Sequence, residues 1–435
     1  MPLKPYMVAP AAPFKDCISF QEIPGKPGKF LITQKAGTLL YYDPATGASS
    51  VWGQLTPDTQ YEEGVNTIVF HPGFVQNGRY FALYTPISNA GLPGLNYGHP
   101  GGFEQVLEEY TADATHTKAS GQAPKQIMKI CCQDGPGHSG MYAIFGNDGM
   151  LYITTGDGNS DGRDTQTRRT FLGTVSRIDI DHADAGKNYA IPKDNPFVND
   201  GDPLVKKEIW SYGWRQPYKI MKDPLNGDLW IGNVGGWNED HVSKVGKGLN
   251  FGWPITESTQ CFDNSKTMFQ YTAPLANCNR TGITPPNIPV PHSMPRGNVN
   301  TNCVMGPVVY RGNPASSLYG AVFFADHTAQ SLWIVRLDAN GKVAEQKNYP
   351  KTAFQIIHIQ ESSDGRILVA GLGSNQLYYL DDPALLMGHP TAIQPSARPA
   401  SLHVVEKGSK SFYDVAGKRL VEMPFFARPL SVTAR

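Results

Sequence analysis

The chain has 435 residues, with 38 Lys and Arg balanced against 38 Asp and Glu, so its formal net charge is zero and only 17% of its residues are charged. That balance argues against a nucleic-acid partner, which needs clustered Lys and Arg to neutralise phosphates, while 40% hydrophobic and 11% aromatic content excludes a disordered chain. Glycine (45 residues) and proline (35) interrupt helices, which excludes a long helical bundle and leaves a turn-rich, all-β architecture as the expectation.

In chain order, Met1–Pro10 holds one Lys and no continuous apolar run, so no signal peptide is read there. One local pattern then recurs: a Gly-containing turn followed by alternating apolar and aromatic residues. It stands at Lys35-Ala-Gly-Thr-Leu-Leu-Tyr-Tyr-Asp43, Asn77-Gly-Arg-Tyr-Phe-Ala-Leu-Tyr84 and Asn147-Asp-Gly-Met-Leu-Tyr-Ile-Thr-Thr-Gly-Asp157. It returns at Asn226-Gly-Asp-Leu-Trp-Ile-Gly-Asn233, Tyr319-Gly-Ala-Val-Phe-Phe-Ala-Asp326 and Asp364-Gly-Arg-Ile-Leu-Val-Ala-Gly371. Asn-Gly and Asp-Gly supply the positive φ of a hairpin turn, and the period-2 run behind them is a strand. Phe103–Tyr110 is the best helix candidate, and it is short. Repetition of one strand-turn-strand unit predicts a six-bladed β-propeller over residues 14–383, with blades of roughly 60 residues. A large irregular sandwich is the alternative. The segment 255–305, rich in Pro, Asn and Thr, reads as an insertion overhanging the central pocket; residues 384–435 read as a linker and a small C-terminal β appendage. The longest apolar runs, Tyr319–Phe324 and Ile367–Gly371, are strand-length and far below the roughly 18 residues of a membrane span.

Six cysteines are present, Cys17, Cys131, Cys132, Cys261, Cys278 and Cys303. A Cys261–Cys278 bridge is the natural pairing, Cys303 is a competing partner, and all six reduced and buried is the alternative. None of them has zinc-ligand spacing.

Gly135-Pro-Gly-His-Ser-Gly140 surrounds one imidazole with glycines, so the backbone can approach a ligand and His138 can serve as a base near neutral pH. A loop His bonded to a carbonyl is the structural alternative. Ser139 lacks the second half of a nucleophile elbow. In Gly156-Asp-Gly-Asn-Ser-Asp-Gly-Arg-Asp164, the carboxylates of Asp157, Asp161 and Asp164 make an oxygen-rich loop that either holds Ca²⁺ or stabilises turns. Arg215 sits among aromatics in Ile209-Trp-Ser-Tyr-Gly-Trp-Arg-Gln-Pro217, which suits a planar anionic ligand. Exposed carbonyls in Gly232-Asn-Val-Gly-Gly-Trp-Asn-Glu-Asp240 and Lys247-Gly-Leu-Asn-Phe-Gly-Trp-Pro254 could coordinate a cation or simply turn blade corners.

These residues, with Tyr61-Glu-Glu-Gly-Val-Asn-Thr-Ile-Val-Phe-His-Pro-Gly-Phe74, Leu172-Gly-Thr-Val-Ser-Arg-Ile-Asp179, Pro192-Lys-Asp-Asn-Pro-Phe197 and Gly306-Pro-Val-Val-Tyr-Arg-Gly312, resemble in order the soluble quinoprotein glucose/sorbosone dehydrogenases, or aldose sugar dehydrogenases. The resemblance covers about residues 14–383. It implies a six-bladed propeller that uses pyrroloquinoline quinone (PQQ) and Ca²⁺ to oxidise an aldose or other alcohol, passes electrons to an external acceptor, and works in the periplasm or outside the cell. His138 would be the general base; Arg215 and Gln216 would flank the quinone oxygens; Glu62, Glu63 and Trp237 would contact the cofactor. The Gly235 and Gly236 carbonyls would ligate its Ca²⁺. Gln216 stands where the family commonly has Asn, and residues 325–333 and 354–360 contain no Lys or Arg. His327, His358 or Arg296 would then face the PQQ carboxylates. That departure motivates a second expectation, a propeller that has lost PQQ and binds a sugar, another ligand or a partner without turnover. Hydrolase or lyase chemistry at His138 is a third.

Overall fold

The Asn-Gly and Asp-Gly turns at Asn77-Gly78, Asp148-Gly149, Asn226-Gly227 and Asp364-Gly365 are each followed by a strand, because the turn fixes the hairpin and the period-2 run gives it one buried face. The computed structural model describes residues 3–5, 14–59, 62–87, 103–133, 137–160, 162, 164–265, 273–292, 303–350, 352–374, 376–382, 385, 411–413 and 419–422. Strand β1 spans Leu3–Pro5 and is placed below. The first blade is β2 to β5 (Cys17–Glu22, Phe30–Gln34, Thr38–Asp43, Ala48–Gln54). The second is β6 to β9 (Val65–Phe70, Arg79–Tyr84, Phe103–Thr111, Lys125–Gln133), with a single helical turn α1 (Phe74–Asn77) in its first hairpin. The third is β10 to β13 (Gly140–Phe145, Leu151–Thr155, Thr174–Ile178, Ile209–Tyr212).

Blade four begins with β14 to β16 (Gln216–Lys222, Leu229–Val234, Glu239–Lys244); the chain then makes the small hairpin β17 and β18 (Thr256–Glu257, Gln260–Cys261) before β19 (Ile288–Pro291) completes the sheet. Blade five is β20 to β23 (Val304–Val309, Val322–Asp326, Ser331–Leu337, Val343–Pro350). Blade six is β24 to β26 (Gln355–Glu361, Ile367–Leu372, Tyr378–Leu380), and β1 is its fourth strand, pairing Leu3 with Leu380 and Pro5 with Tyr378. The result is an all-β six-bladed propeller. The chain divides into two compact units, Met1–Pro390 and Thr391–Arg435; in the second, β27 (Ser411–Tyr413) pairs with β28 (Arg419–Glu422).

Three expectations change. Residues 103–110 form a strand, not a helix: β8 is hydrogen-bonded to β7 on one side and β9 on the other, and these ladders override a short local pattern. Residues 288–291 belong to a blade, so the segment 255–305 is not wholly an insertion. The sixth blade takes its last strand from residues 3–5, ahead of position 14, and so joins the two ends of the ring in one sheet. Cys261 and Cys278 form a disulfide, with Cα atoms 5.6 Å apart, while Cys17 and Cys303 are free thiols.

The first strands, β2, β6, β10, β14, β20 and β24, pack against one another in succession around the axis. Apolar clusters fill the wedges between blades; one packs Phe81, Leu107, Phe145 and Ile153 between the second and third. In every blade the innermost pair shifts register near the start of its first strand: Cys17/Ser19, Val65/Thr67, Gly140/Ala143, Pro217/Lys219, Met305/Val308 and Ile356/His358. Such bulges bend a strand and re-aim the residues around it.

Between the third and fourth blades, Trp214 stacks on Phe251 at 3.8 Å and on His241 at 5.7 Å. His241 is fully enclosed, and burial pushes its pKa from 6.5 down to about 3. A base whose folded pKa is depressed contributes stability that is fully present above 6.5 and is lost as pH falls toward 3. His241→Phe is therefore expected to flatten the decline in urea midpoint across that acid range. An unchanged decline would refute this assignment of acid sensitivity.

Candidate active site

In an antiparallel blade, the entry to the first strand and the exit from the second lie at the same end. The chemistry-bearing residues gather there. Glu62 and Glu63 precede β6, His138 precedes β10, Arg215 precedes β14 and Cys303 precedes β20; Asp157 follows β11, Gly235 follows β15 and His327 follows β21.

His138 takes φ 52°, a left-handed conformation that few non-glycine residues adopt. Its Nδ1 lies 2.8 Å from Asp157 Oδ1, and its Nε2 lies 3.0 Å from Arg215 Nη2. A guanidinium only donates, so Nε2 presents its lone pair and Nδ1 carries the proton toward Asp157. These two contacts orient the ring and select one tautomer, with 22% of its side chain exposed. Behind it, Asp157 is completely buried; Oδ1 also accepts from Asn159 N at 3.1 Å, and Oδ2 accepts from Trp253 Nε1 at 2.8 Å. Burial alone would raise its pKa, but His138, Arg215 and the indole outweigh it and hold the carboxyl below its usual range. Gly156 permits the arrangement, since a Cβ there would come within 1.9 Å of the His138 carbonyl oxygen.

Arg215 spans the pocket wall. Nη1 donates to the Gly235 carbonyl at 2.6 Å, and the guanidinium lies 5.4 Å from the Trp253 ring centroid. Trp253 packs on Phe262 at 4.5 Å, which stacks with Trp237 at 6.4 Å, so the cation rests on an aromatic floor. The Gly235–Gly236 turn is pinned from below: Gly235 N donates to Asp240 Oδ1 at 2.8 Å, and the amides of Trp237 and Asn238 donate to Glu257 Oε1 at 2.5 and 2.7 Å.

The other sequence-derived residues divide. Gln216 is a bracket between blades, accepting from Gly140 N at 2.8 Å and donating to Glu62 Oε2 at 2.8 Å. Glu62 is exposed, and its Oε2 also accepts from His138 N at 2.9 Å. Glu63 is fully buried, with its oxygens on Gly137 N (3.0 Å) and the Thr85 hydroxyl, so it does not face a ligand. His327 is half-buried; its Nδ1 is enclosed without a hydrogen-bond partner, and burial lowers its pKa. His358 departs from expectation. It is 1% exposed, bonded to the Tyr142 hydroxyl at 2.8 Å and to Gln360 Oε1 at 3.3 Å, and burial then Lys219 keep it uncharged. It cannot offer a cofactor positive charge.

Asp157 likewise is no ligand for a second Ca²⁺, because both its oxygens are engaged by His138, Asn159 and Trp253; Asp161 and Arg296 lie outside the described residues, and Asp164 uses its carbonyl to accept from Thr167 N at 3.0 Å. Among the described residues, no three His, Cys, Asp or Glu side chains converge as metal ligands. Sequence reasoning missed the coupling of Asp157 to His138, although Gly156 and Gly158 around the one and Gly137 and Gly140 near the other marked two loops able to approach closely. It also missed Glu257, which stands in no recognisable pattern.

Comparison with known proteins adds the following. The sequence model for Glucose / Sorbosone dehydrogenase matches residues 15–378. The chain is 26% identical over 341 residues to HIPL1 protein of Arabidopsis thaliana, covering 69% of this chain and 47% of that one, so it spans about half the length of the curated relatives it matches first. It is 28% identical over 233 residues to Aldose sugar dehydrogenase YliI of Escherichia coli, covering 52% of this chain and 55% of that one. The PQQ-bound form of Aldose Sugar Dehydrogenase from Streptomyces coelicolor has the same fold, with TM-score 0.60 at 16% identity over 87% of this chain and 97% of that one. No helix among the described residues is long and apolar enough to cross a membrane.

Proposed function

The chain belongs to the glucose/sorbosone dehydrogenase family, and from that premise we propose that it oxidises a hydroxyl of an aldose or comparable alcohol, with His138 as proton acceptor and with PQQ and Ca²⁺ as cofactors. The observation that carries this reading is the placement of the His138 ring, its Nδ1 2.8 Å from buried Asp157 and its Nε2 turned to Arg215 at 3.0 Å, which selects the tautomer with the Nε2 lone pair free for a proton. A hydroxyl surrenders hydride from its carbon only as its proton leaves, and a base fixed in one tautomer takes that proton without first reorganising.

The residues present fit the cofactor at its quinone edge. Arg215 would hold the ring oxygens, while Gln216, its amide engaged by Gly140 N and Glu62, stays the bracket behind them. The enclosed, unpartnered Nδ1 of His327 suits an acidic group, and the carbonyls of Gly236 and, once Arg215 Nη1 releases it, Gly235 would hold Ca²⁺. When bound, the quinone supplies a two-electron acceptor for hydride. The chain's own part is the proton. His138 Nε2 accepts it from the substrate hydroxyl, and the Asp157 carboxylate stabilises the imidazolium so formed. Arg215 now donates to Nε2 at 3.0 Å, so a hydroxyl binds there only as the guanidinium turns aside. The freed Nη2 then lies beside the oxygen on which charge develops. Trp253, under Arg215 and bonded to Asp157, ties the two halves of the site together.

The Cys261–Cys278 disulfide supports assigning the protein to an oxidising compartment, periplasmic or extracellular, with an external electron acceptor as its partner. A second reading, sugar binding without turnover, is favoured by one observation: residues 325–333 and 354–360 bring no Lys or Arg to the pocket, while Glu62 adds a carboxylate. Titration of the protein with PQQ in Ca²⁺, followed by absorbance and by dye reduction with aldoses, separates the two. Saturable binding with sugar-dependent dye reduction is expected. Sugar binding with neither PQQ binding nor turnover would overturn the first reading and establish the second.

A further inference from the structure

We propose that Glu62 and Glu63 together clamp the Gly137–His138 backbone and so set the direction of the His138 imidazole, which makes them positioning residues for the base; the proposal rests on the reading of His138 as proton acceptor. Two successive N–H groups, of Gly137 and His138, point away from their own blade. Two successive carboxylates of the second blade receive them: Gly137 N to Glu63 Oε1 at 3.0 Å and His138 N to Glu62 Oε2 at 2.9 Å. Burial raises the Glu63 pKa from 4.5 to about 7, and its carboxyl keeps an oxygen able to accept from Gly137 N in either protonation state.

The clamp answers a local difficulty. At φ 52° the His138 backbone lies in the left-handed region that L-residues rarely adopt, so its surroundings must impose it. Its carbonyl is fixed on one side by Gly158 N at 3.2 Å. The carboxylates fix the amide side. Each is itself braced: Glu62 Oε2 also receives Gln216 Nε2 at 2.8 Å, while Gln216 Oε1 accepts from Gly140 N, two residues beyond His138, at 2.8 Å. Glu63 is 0% exposed, and its second oxygen is held by the Thr85 hydroxyl. The second, third and fourth blades thus meet in one hydrogen-bonded loop around the imidazole's attachment point. Arg215 and Asp157 grip the ring; the clamp aims it.

Cofactor-free protein suffices for the test. In ¹⁵N and ¹H spectra the wild type should give a slowly exchanging, downfield His138 Nδ1–H resonance of a single tautomer. Glu62→Leu with Glu63→Leu should abolish that resonance or split it between tautomers, while the circular dichroism of the β fold persists. Glu62→Gln with Glu63→Gln keeps an acceptor on each N–H and should retain it. If the Leu pair does not fold, Thr85→Val, which frees one oxygen of Glu63, should weaken the resonance with the fold intact. In loaded enzyme, the Leu pair should lower kcat about 10- to 100-fold with little change in KM, as expected for a base displaced by a fraction of an ångström. A folded Leu pair or Thr85→Val variant with the wild-type resonance would overturn the clamp, as would a folded Gln pair no better than the Leu pair. A wild type that oxidises no sugar, yet loses the resonance in the variants, would overturn the dehydrogenase reading and leave the clamp standing.

Discussion

His138→Ala is expected to lower sugar-dependent turnover by about 10³-fold or more while leaving the fold and PQQ binding in place. Loss of a positioned base alone removes roughly 10²–10⁴ in rate. The side chain is 22% exposed and contributes little to any apolar core, so the fold should persist, with about 1–3 kcal/mol of stability lost because buried Asp157 gives up a partner. Removing the imidazole also leaves Asp157 buried with only Asn159 N, Trp253 and nearby Arg215 to hold its charge. Its carboxyl pKa should therefore rise from its depressed value toward and above the ordinary range, since burial, the raising influence, stays. Dye-reduction kinetics with a parallel absorbance titration of PQQ checks both halves. Turnover within tenfold of the wild type would remove His138 from the mechanism.

Asp157→Asn is expected to be nearly as severe, about 10⁴-fold in kcat by analogy with other carboxylate–imidazole pairs, although shape is unchanged. The reason is a conflict among donors. Oδ1 accepts from His138 Nδ1 and Asn159 N, and Oδ2 accepts from Trp253 Nε1. An amide has one oxygen for these three donors. If its NH₂ faces Trp253, two N–H groups oppose each other in a sealed site. If it faces His138, the imidazole must accept at Nδ1 and carry its proton on Nε2, where it meets Arg215 and cannot act as base. Nitrogen-15 spectra of His138 should show the changed tautomer or a mixture of both. Retention of a single Nδ1–H tautomer together with lost activity would refute this explanation, and retention of activity would refute the role of Asp157.

Much of the fold was legible because the turns are local. Asn147-Asp-Gly149 announces β11, Asn226-Gly227 announces β15, and Asp364-Gly365 announces β25, since φ > 0 at those positions is a property of two or three residues. What needed the whole chain was illegible. Nothing in Leu3–Pro5 distinguishes the strand that completes blade six from an idle segment; its partner lies more than 370 residues away, at Tyr378–Leu380. Phe103–Tyr110 has a spacing that a helix would accept, and only the neighbours β7 and β9 make it a strand. The site follows the same division. His138 and Arg215 stood out through their glycine and aromatic surroundings. The oxygen-rich loop around Asp157 suggested a cation, because acidic clusters look alike in sequence whether a metal or a buried imidazole neutralises them. His358 looked available as a cation, and burial against Tyr142 and Phe20, whose ring lies 4.5 Å away, makes it a neutral part of the wall.

The register shifts at the start of all six inner strands bear on how such a molecule can be retooled. A strand normally couples its entry loop to everything below it, since a slip of one residue turns every side chain to the opposite face. A bulge at the entrance already sets two residues against one and so absorbs a change of count. Loops carrying Glu62, His138, Arg215 and Cys303 can therefore gain, lose or exchange residues while the barrel of inner strands keeps its inward and outward faces. The ring behaves like a chuck that grips six interchangeable bits. Grafting an entry loop from one relative into another should alter which ligand is recognised without a matching penalty in folding.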